Sequence, residues 1–317
     1  MVGRMLHDPD LILSEWEKLR AANTHLHDPE AARRLGVPEA VLTASRIGDG
    51  ARRLVPDVAG LLSPVTEWRR IMLVCASPAG VSIALGGIDS CAVEGRHLRL
   101  RGPHVDARLS LDAVKRAFWF VRQDGAHGRS RSLQFFDAGG EAVLKVMIPH
   151  RQAAIAAERH FSAFAAASQS RTEEVPAAHP PPVPLPPGMA SGDAGLFRAV
   201  FCRLPELAVR LAIGCHGASA VQTAMVRLHA VRDDGRMLHI HESDLRMHLR
   251  PWAIDDAVVR TVADGSPAAI AFMAGGRRVL TVSSLPEHGS DAFAAWLERI
   301  PQVNDVRTAL FQKENLP

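Results

Sequence analysis

The sequence predicts an α+β protein built from two tandem copies of an antiparallel β-sheet module with packed helices, preceded by an N-terminal helical segment. Three observations carry this prediction. A long stretch of the chain occurs twice, apolar and polar residues alternate over much of each copy, and short helical patterns precede and close the alternating segments. The chain has 317 residues, enough for two domains of about 100–200 residues each.

The internal repeat is the strongest of these observations. Residues 75–109 match residues 215–249 at a constant offset of 140 (215 minus 75), and residues 136–146 match residues 272–282 at an offset of 136 (272 minus 136). Solenoid repeats are much shorter, about 20–50 residues. The repeat therefore predicts two similar half-proteins, each with its own core.

Composition limits the class of protein. The chain is 47% hydrophobic and 22% charged, as is ordinary for a globular protein, and its net charge of +3 favours neither a nucleic acid nor a membrane surface as partner. No apolar run approaches the roughly 18 residues of a membrane span, and charges interrupt residues 1–19 where a signal peptide needs its apolar core. We therefore expect a cytoplasmic protein without membrane insertion. Four scattered cysteines without a CxxC pair predict reduced thiols.

Helical patterns dominate the first 50 residues. Apolar spacing predicts helices over residues 10–23, 28–36 and 37–48, with Asp28 as the N-cap of the second. The last two helices have the outline of a DNA-binding helix-turn-helix. The second of them begins with Glu39 rather than with the Arg, Lys, Asn or Gln that read base edges, so a plain helical hairpin is favoured.

Each copy then follows the same plan. In the first copy, strands are predicted over residues 71–148, half-buried around Leu98 and Leu133, with a helix over 153–167. In the second copy, we expect a helix over 196–213, strands over 221–284 and a helix over 291–300. Prolines between the copies predict a semi-extended spacer, which is favoured over a signalling ligand. The predicted domains are residues 1–168 and 195–317, joined by a linker over 169–194.

Histidines are the main chemical signal, since no GxSxG, P-loop, HExxH or GxGxxG motif occurs in a suitable context. His239 and His241 lie two apart on a predicted strand and so share one face, an arrangement compatible with a metal or porphyrin site. The alternative is a solvated polar face, and a dedicated zinc site is not favoured because further ligands at the usual spacings are not evident. The histidines that crowd the second copy are His216, His229, His239, His241 and His248.

Two stretches resemble a known family. Residues 27–40 read HDPEAARRLGVPEA and resemble the amino-terminal signature of bacterial haem-utilisation proteins of the HemS/HmuS/ChuX type. Residues 131–146, RSLQFFDAGGEAVLKV, are similar to that family's most specific block, and the tandem duplication is also the family's architecture. The resemblance covers about residues 12–300 and is eroded in the second half. It implies a cytoplasmic protein that receives imported haem, holds it between the halves and, in several relatives, opens the ring.

The resemblance also assigns site residues. The family's iron ligand is a His in the second half, and the matching position here is Gln222, whose neutral amide is a poorer partner for haem iron than imidazole. The Arg and Lys groups of the first-half motif, which would meet the haem propionates, are also replaced. The candidates for a replacement axial ligand are His216 and His248, then His239 and Met225, and the further candidates for the haem cleft are Arg108 and Arg250.

The leading functional hypothesis is haem binding, transport or degradation in iron acquisition, with haem or a related tetrapyrrole as ligand and haem-import or iron-regulated proteins as further partners. Ring opening, which would make the protein an oxidoreductase, stays open because it needs a bound ferric haem that can be reduced and meet oxygen. The alternative is a degenerate, non-catalytic member that acts as a protein-interaction or regulatory module. A DNA-binding regulator built on residues 28–48 is the weakest hypothesis.

Overall fold

The computed structural model describes residues 8–23, 26–123, 129–175, 194–260, 268–285 and 290–300. Helices and antiparallel strands alternate in it as the sequence predicts, which confirms the α+β class. The helices are α1 Pro9–Ala22, α2 Asp28–Leu35, α3 Glu39–Ser45, α4 Val58–Leu62, α5 Arg151–Ser162, α6 Ala194–Arg203 and α7 Ser290–Glu298. The strands are β1 Ala51–Leu54, β2 Ile71–Ser77, β3 Gly80–Gly86, β4 Ser90–Glu94, β5 His97–Gly102, β6 Val105–Ser110, β7 Arg116–Gln123, β8 Arg129–Phe136, β9 Ala142–Met147, β10 Arg210–His216, β11 Ala220–Arg227, β12 Arg232–Asp233, β13 Leu238–His241, β14 Leu245–Leu249, β15 Asp256–Arg260, β16 Ala269–Ala274 and β17 Arg277–Ser284.

The N-terminal helices differ from prediction at one cap. Residue His27, with an extended backbone, is the N-cap of α2, whereas Asp28 was predicted there. Asp28 is instead the first helical residue, and its carboxylate faces the guanidinium groups of Arg46 and Arg122 at 3.9 and 3.6 Å. The helix ends as predicted at Gly36, whose φ of 70° is the left-handed conformation that glycine adopts without strain.

Helix α3 is buried along its whole length. Its first residue, Glu39, forms an ion pair with Lys145, and only 4% of Glu39 is exposed. A helix that reads DNA must present its side chains to a groove. Because α3 is enclosed by the protein, it cannot do so, and the plain helical hairpin is the correct interpretation of residues 28–48.

The contacts within the chain define two compact units. The first comprises Met1–Leu73, Gly87–Arg101 and Arg108–Pro182. Its central strands run antiparallel in the order β1-β7-β8-β9. Strand β8 was predicted to be half-buried around Leu133, but it is buried on both faces. The reason is that α3 residues pack with Phe136 on one face, while the ring of Phe161 in α5 lies 5.0 Å from Trp119 on the other.

The start of the predicted linker is attached to this first unit. The side chain of Gln169 bonds the backbone N and O of Arg53, each at 2.9 Å. Glu173 forms ion pairs with both Arg53 and Arg116. Residues 169–175 therefore pack against the unit, and the prolines of the predicted linker lie outside the described residues.

The second unit comprises Val74–Gly86, Gly102–Ala107 and Val183–Pro317. It contains two antiparallel groups of strands, β3-β14-β13-β12 and β15-β16-β17-β10-β11. Strand β3 comes from the first copy in sequence, yet it pairs with β14 of the second copy from Gly80 opposite Leu249 onward. A Cβ atom at Gly80 would lie 2.1 Å from the carbonyl oxygen of His248, so this close approach requires glycine.

The helix predicted over residues 196–213 is too long. Helix α6 ends at Arg203, a 3-10 turn follows at Leu204–Leu207, and β10 begins at Arg210. Pro205 lacks a backbone N–H, and Ala208 adopts a left-handed φ of 51°, which together stop the helix. Helices α1 and α7 agree with prediction to within two residues, whereas α5 ends at Ser162, five residues before the predicted end, and Ala165 instead forms a β-bridge with Leu54. The predicted domains 1–168 and 195–317 stay a prediction.

Candidate functional site

The position that the family resemblance assigns to the iron ligand is fully buried. Gln222 lies on β11 with 0% of its surface exposed, and its Nε2 donates to the hydroxyl of Ser82 at 3.0 Å and to the Ser82 carbonyl oxygen at 3.4 Å. Ser82 is the equivalent position of the first copy, 140 residues earlier (222 minus 82). The amide of Gln222 is thus part of the interior of the second unit.

Two thiols beside this pair repeat the same symmetry. The Sγ of Cys75 lies 3.7 Å from the carbonyl oxygen of Cys215, and the Sγ of Cys215 lies 3.6 Å from the carbonyl oxygen of Cys75. Both cysteines are buried and free. The hydrogen bond with Cys215, together with burial, raises the pKa of the Cys75 thiol well above its usual range. Equivalent residues of the two copies therefore meet in this interior.

His216 has a different environment. It ends β10, is half-buried, and its Nε2 lies 3.1 Å from the hydroxyl of Thr281. A Cβ atom at Gly214 would lie 2.4 Å from that hydroxyl and 3.1 Å from His216 Nε2, so the bare glycine makes room for the pair. Burial, and secondarily the positive charge of Arg278, lowers the pKa of His216 to about 4. The imidazole is therefore neutral at physiological pH, the form that binds metals.

A cavity of about 440 Å³ opens beside this histidine. Met273 on β16 and Arg278 on β17 are opposite one another in the strand register, which places both at the cavity wall. Neither Met273 nor Arg278 is among the site residues predicted from the sequence. The alternation along β16 and β17 is visible in the sequence. It places Met273 and Arg278 side by side only once the register between the two strands is known. The residues that line the cavity are His216, Val258, Ala271, Met273 and Arg278.

Three other histidines meet on the second unit. His239 and His248 are directly opposite in the register of β13 and β14, and their Nδ1 atoms are 2.9 Å apart. His241, two residues along β13, brings a ring nitrogen into the same group, in which one nitrogen from each ring lies within 4.8 Å of the others. The Nε2 of His239 lies 2.9 Å from the carboxylate of Asp234. We call His239, His241 and His248 the histidine cluster.

The cavity-lining residues named above include none of the remaining predicted candidates. Arg108 is exposed on β6, with its Nη2 3.2 Å from His97 Nδ1 in the first unit. Arg250 follows β14 and donates its backbone N–H to Ala79. Met225 is half-buried on β11. The structure thus brings His239 and His248 together but places His216 in the other group of strands of the second unit.

None of the helices in the described ranges has both the length and the apolar character needed to cross a bilayer.

The comparisons with known proteins agree with this fold. Residues 36–167 match the family model of the haemin-degrading HemS/ChuX domain. The resemblance read from the sequence is therefore confirmed over these residues.

Two hemin transport proteins are also similar to this chain. The chain is 27% identical over 138 residues to the hemin transport protein HmuS of Yersinia pestis and 28% identical over 138 residues to the hemin transport protein HemS of Yersinia enterocolitica. Each match covers 43% of this chain and only 40% of the relative.

Solved structures extend the likeness of fold to most of the chain. The heme-binding protein PhuS of Pseudomonas aeruginosa, in its holo form, superposes with a TM-score of 0.74 at 23% identity, over 88% of this chain and 94% of PhuS. The heme degrading enzyme ChuS of Escherichia coli O157:H7 superposes with a TM-score of 0.72 at 18% identity, over 88% of this chain and 94% of ChuS. At these identities the likeness establishes the fold.

Proposed function

We propose that this protein binds haem in the cytoplasm as part of iron acquisition, with His216 as the residue that ligates the iron. The observation that carries the proposal is a neutral, half-buried imidazole at the wall of a 440 Å³ cavity, in a chain with a HemS/ChuX-family domain. The curated relatives are hemin transport proteins, and PhuS is a heme-binding protein, which supports haem as the ligand.

The cavity residues match the chemistry of a haem edge. A neutral imidazole is a common axial ligand of haem iron. The guanidinium of Arg278 offers charge-assisted hydrogen bonds to a propionate, and Met273 offers a polarisable apolar surface to the porphyrin. When bound, haem would supply the iron and its redox chemistry. His216 would fix its position, and Arg278 would orient its carboxylates.

A haemin titration followed by visible absorption tests the proposal. We expect the wild-type protein to give a shifted Soret band that saturates at a defined stoichiometry, and His216→Ala to lose or strongly weaken that shift. His229→Ala is a matched control, since His229 is an exposed histidine of the same unit paired with Glu242. A spectrum of free haemin with the wild type contradicts haem binding. An undiminished shift in His216→Ala contradicts the ligand and directs attention to His248→Ala.

A second function is supported by the buried pair of Gln222 and Ser82. Because the family's ligand position is enclosed and hydrogen-bonded, the chain also fits a non-catalytic protein-interaction module that has given up the cargo. The Gln222→His variant separates the two functions. If only this variant shifts the Soret band, haem binding is a lost property and the interaction function is favoured.

Ring opening is tested in the same cuvette. With haem bound, addition of a reductant in air should bleach the Soret band if the ring is cleaved and should leave it in place if the protein only carries haem. Bleaching is assigned to the protein only if it is lost in His216→Ala.

A further inference from the structure

We propose that His239, His241 and His248 form a binding site for a divalent transition-metal ion of the kind that imidazole prefers, such as zinc. The site lies on β13 and β14 and does not use the cavity beside His216. The existence of this metal site therefore does not depend on whether the protein binds haem.

Geometry is the first argument. Two imidazole nitrogens bound to one tetrahedral zinc ion, each about 2.0–2.1 Å from it, lie roughly 3.3 Å apart. The Nδ1 atoms of His239 and His248 are already 2.9 Å apart, and the third ring contributes a nitrogen within 4.8 Å. His241 is exposed, so its ring can turn towards the other two without displacing packed neighbours.

The strand register holds the two inner rings in place. His239 and His248 are opposite residues of an antiparallel pair, and the adjacent side chains of Leu238, Ile240 and Met247 are buried on the other face. Alternation therefore fixes all three histidines on one side of β13 and β14. A site on paired strands is more rigid than one on a loop.

Asp234 supplies the outer partner that metal-bound histidines usually have. Its carboxylate lies 2.9 Å from His239 Nε2, so the His239 ring donates that N–H to Asp234 and presents the lone pair of Nδ1. The facing Nδ1 of His248 is within hydrogen-bonding distance of this lone pair. A metal ion would replace the proton shared between the two nitrogens and leave the contact to Asp234 intact.

The duplication provides an internal comparison. In the first copy, Glu94 stands where Asp234 stands in the second and forms ion pairs with Arg99 and Arg101 at 3.5 and 3.6 Å. Arginine stays protonated and cannot ligate a metal. The second copy thus has histidine at three positions where the first copy has arginine, and both copies have a carboxylate at the position of Asp234. The positions 140 residues before the histidine cluster are Arg99, Arg101 and Arg108.

Positively charged side chains near the histidine cluster affect its affinity for a metal ion. Arg232 is opposite His239, and Arg246 is opposite His241, so two positive charges flank the site. Both arginines are exposed, and their long side chains can extend into solvent away from an ion. With three protein ligands, the ion keeps an open position for water.

The test uses the full-length protein without an affinity tag. Zinc binding is measured by titration calorimetry, and Co²⁺, which replaces zinc and absorbs visible light, reports coordination. We expect one ion per chain, at least a tenfold loss of affinity in His241→Gln, and a loss of about 10–100-fold in Asp234→Asn, the usual effect of removing an outer partner. His229→Gln, an exposed histidine outside the cluster, should bind like the wild type.

His241 is exposed, so its replacement should not unfold the protein; circular dichroism verifies this. As a second readout, zinc should raise the melting temperature of the wild type but not of His241→Gln, since a ligand stabilises the state that binds it. Equal zinc affinity in the wild type and His241→Gln would overturn the proposal, as would wild-type binding no tighter than that of the His239→Ala/His248→Ala protein. Loss of zinc binding in His216→Ala would contradict a site separate from the cavity.

Discussion

The amide of Gln222 donates a hydrogen bond to the hydroxyl of Ser82 at 3.0 Å, and the two residues occupy equivalent positions in the two sequence copies. Both are fully buried. The residue that family resemblance places at the iron is therefore bound to its own repeat counterpart. Buried polar groups are almost always satisfied in this way, and the pair contributes to the interior of the second unit.

Breaking this pair should destabilise the fold. Gln222→Leu removes the donor from a buried hydroxyl, and we expect a loss of about 1–3 kcal/mol in the free energy of unfolding. Urea denaturation of Gln222→Leu, Ser82→Ala and the double variant measures it. The double variant should lose less than the sum of the single losses. Losses that add to within about 0.3–0.5 kcal/mol would show that the two residues are not coupled.

Removing the amine of the buried ion pair between Glu39 and Lys145 should cost more. Burial raises the pKa of Glu39, while Lys145 acts in the opposite direction. Lys145→Met leaves this carboxyl without its partner, and we expect a loss of about 3–5 kcal/mol. Lys18→Met, which breaks an exposed pair with Glu15, should change stability by less than about 1 kcal/mol. Similar losses in the two variants, measured by urea denaturation, would contradict the burial of Glu39.

His216 should make folding sensitive to acid. Its pKa in the folded protein is about 4, whereas an unfolded histidine has a pKa of about 6.5. Below pH 6.5 the unfolded chain takes up a proton that the folded chain refuses, so the contribution of His216 is present above the unfolded pKa and is lost as the pH falls towards 4.

The measurement is the stability of the wild type and His216→Gln by urea denaturation at several values between pH 7 and pH 4.5. The variant should lose less stability over this interval than the wild type. Parallel pH profiles would mean that the ring is protonated in the folded protein. A proton NMR titration of the imidazole gives an independent reading of the same pKa.

The four cysteines should react in order of exposure. Cys202 is exposed, Cys91 is half-buried, and Cys75 and Cys215 are fully enclosed. Burial raises the pKa of both Cys91 and Cys202, so exposure rather than thiolate fraction sets the order of these two thiols. With a chromogenic disulfide reagent, we expect a fast phase that Cys202→Ser removes and two thiols that react only after unfolding. A fast reaction of all four thiols in the native protein would contradict the burial of Cys75 and Cys215.

Local patterns in the sequence were sufficient for much of the fold. The end of α2 at Gly36 and the alternation along β5 follow from neighbouring residues and were predicted correctly. The predictions were wrong where contacts between residues far apart in the sequence determine burial or the end of a helix. Strand β8 is buried on both faces because α3 and α5 cover it, and α6 stops at Arg203 because Pro205 and the pairing of β10 outweigh the helical pattern.

Some residues of the candidate site were predicted from the sequence, and others were found only in the structure. The alternation along one predicted strand indicated His239 and His241, and the family resemblance added His216 and His248 as candidates for a replacement ligand. Neither signal identified Asp234, Met273 or Arg278, since their roles depend on which strands are adjacent and in which register.

By itself, the sequence determined the duplication, the α+β class and the relationship to haem-utilisation proteins, since these reside in residue identity and periodicity. Tertiary structure decided that β3 of the first copy pairs with β14 of the second, so that Ser82 reaches Gln222. It also decided that His239, His241 and His248 meet and that His216 lines a cavity. The physical reason is that pairing between strands more than 150 residues apart depends on the free energy of the whole packed sheet, which no local pattern encodes.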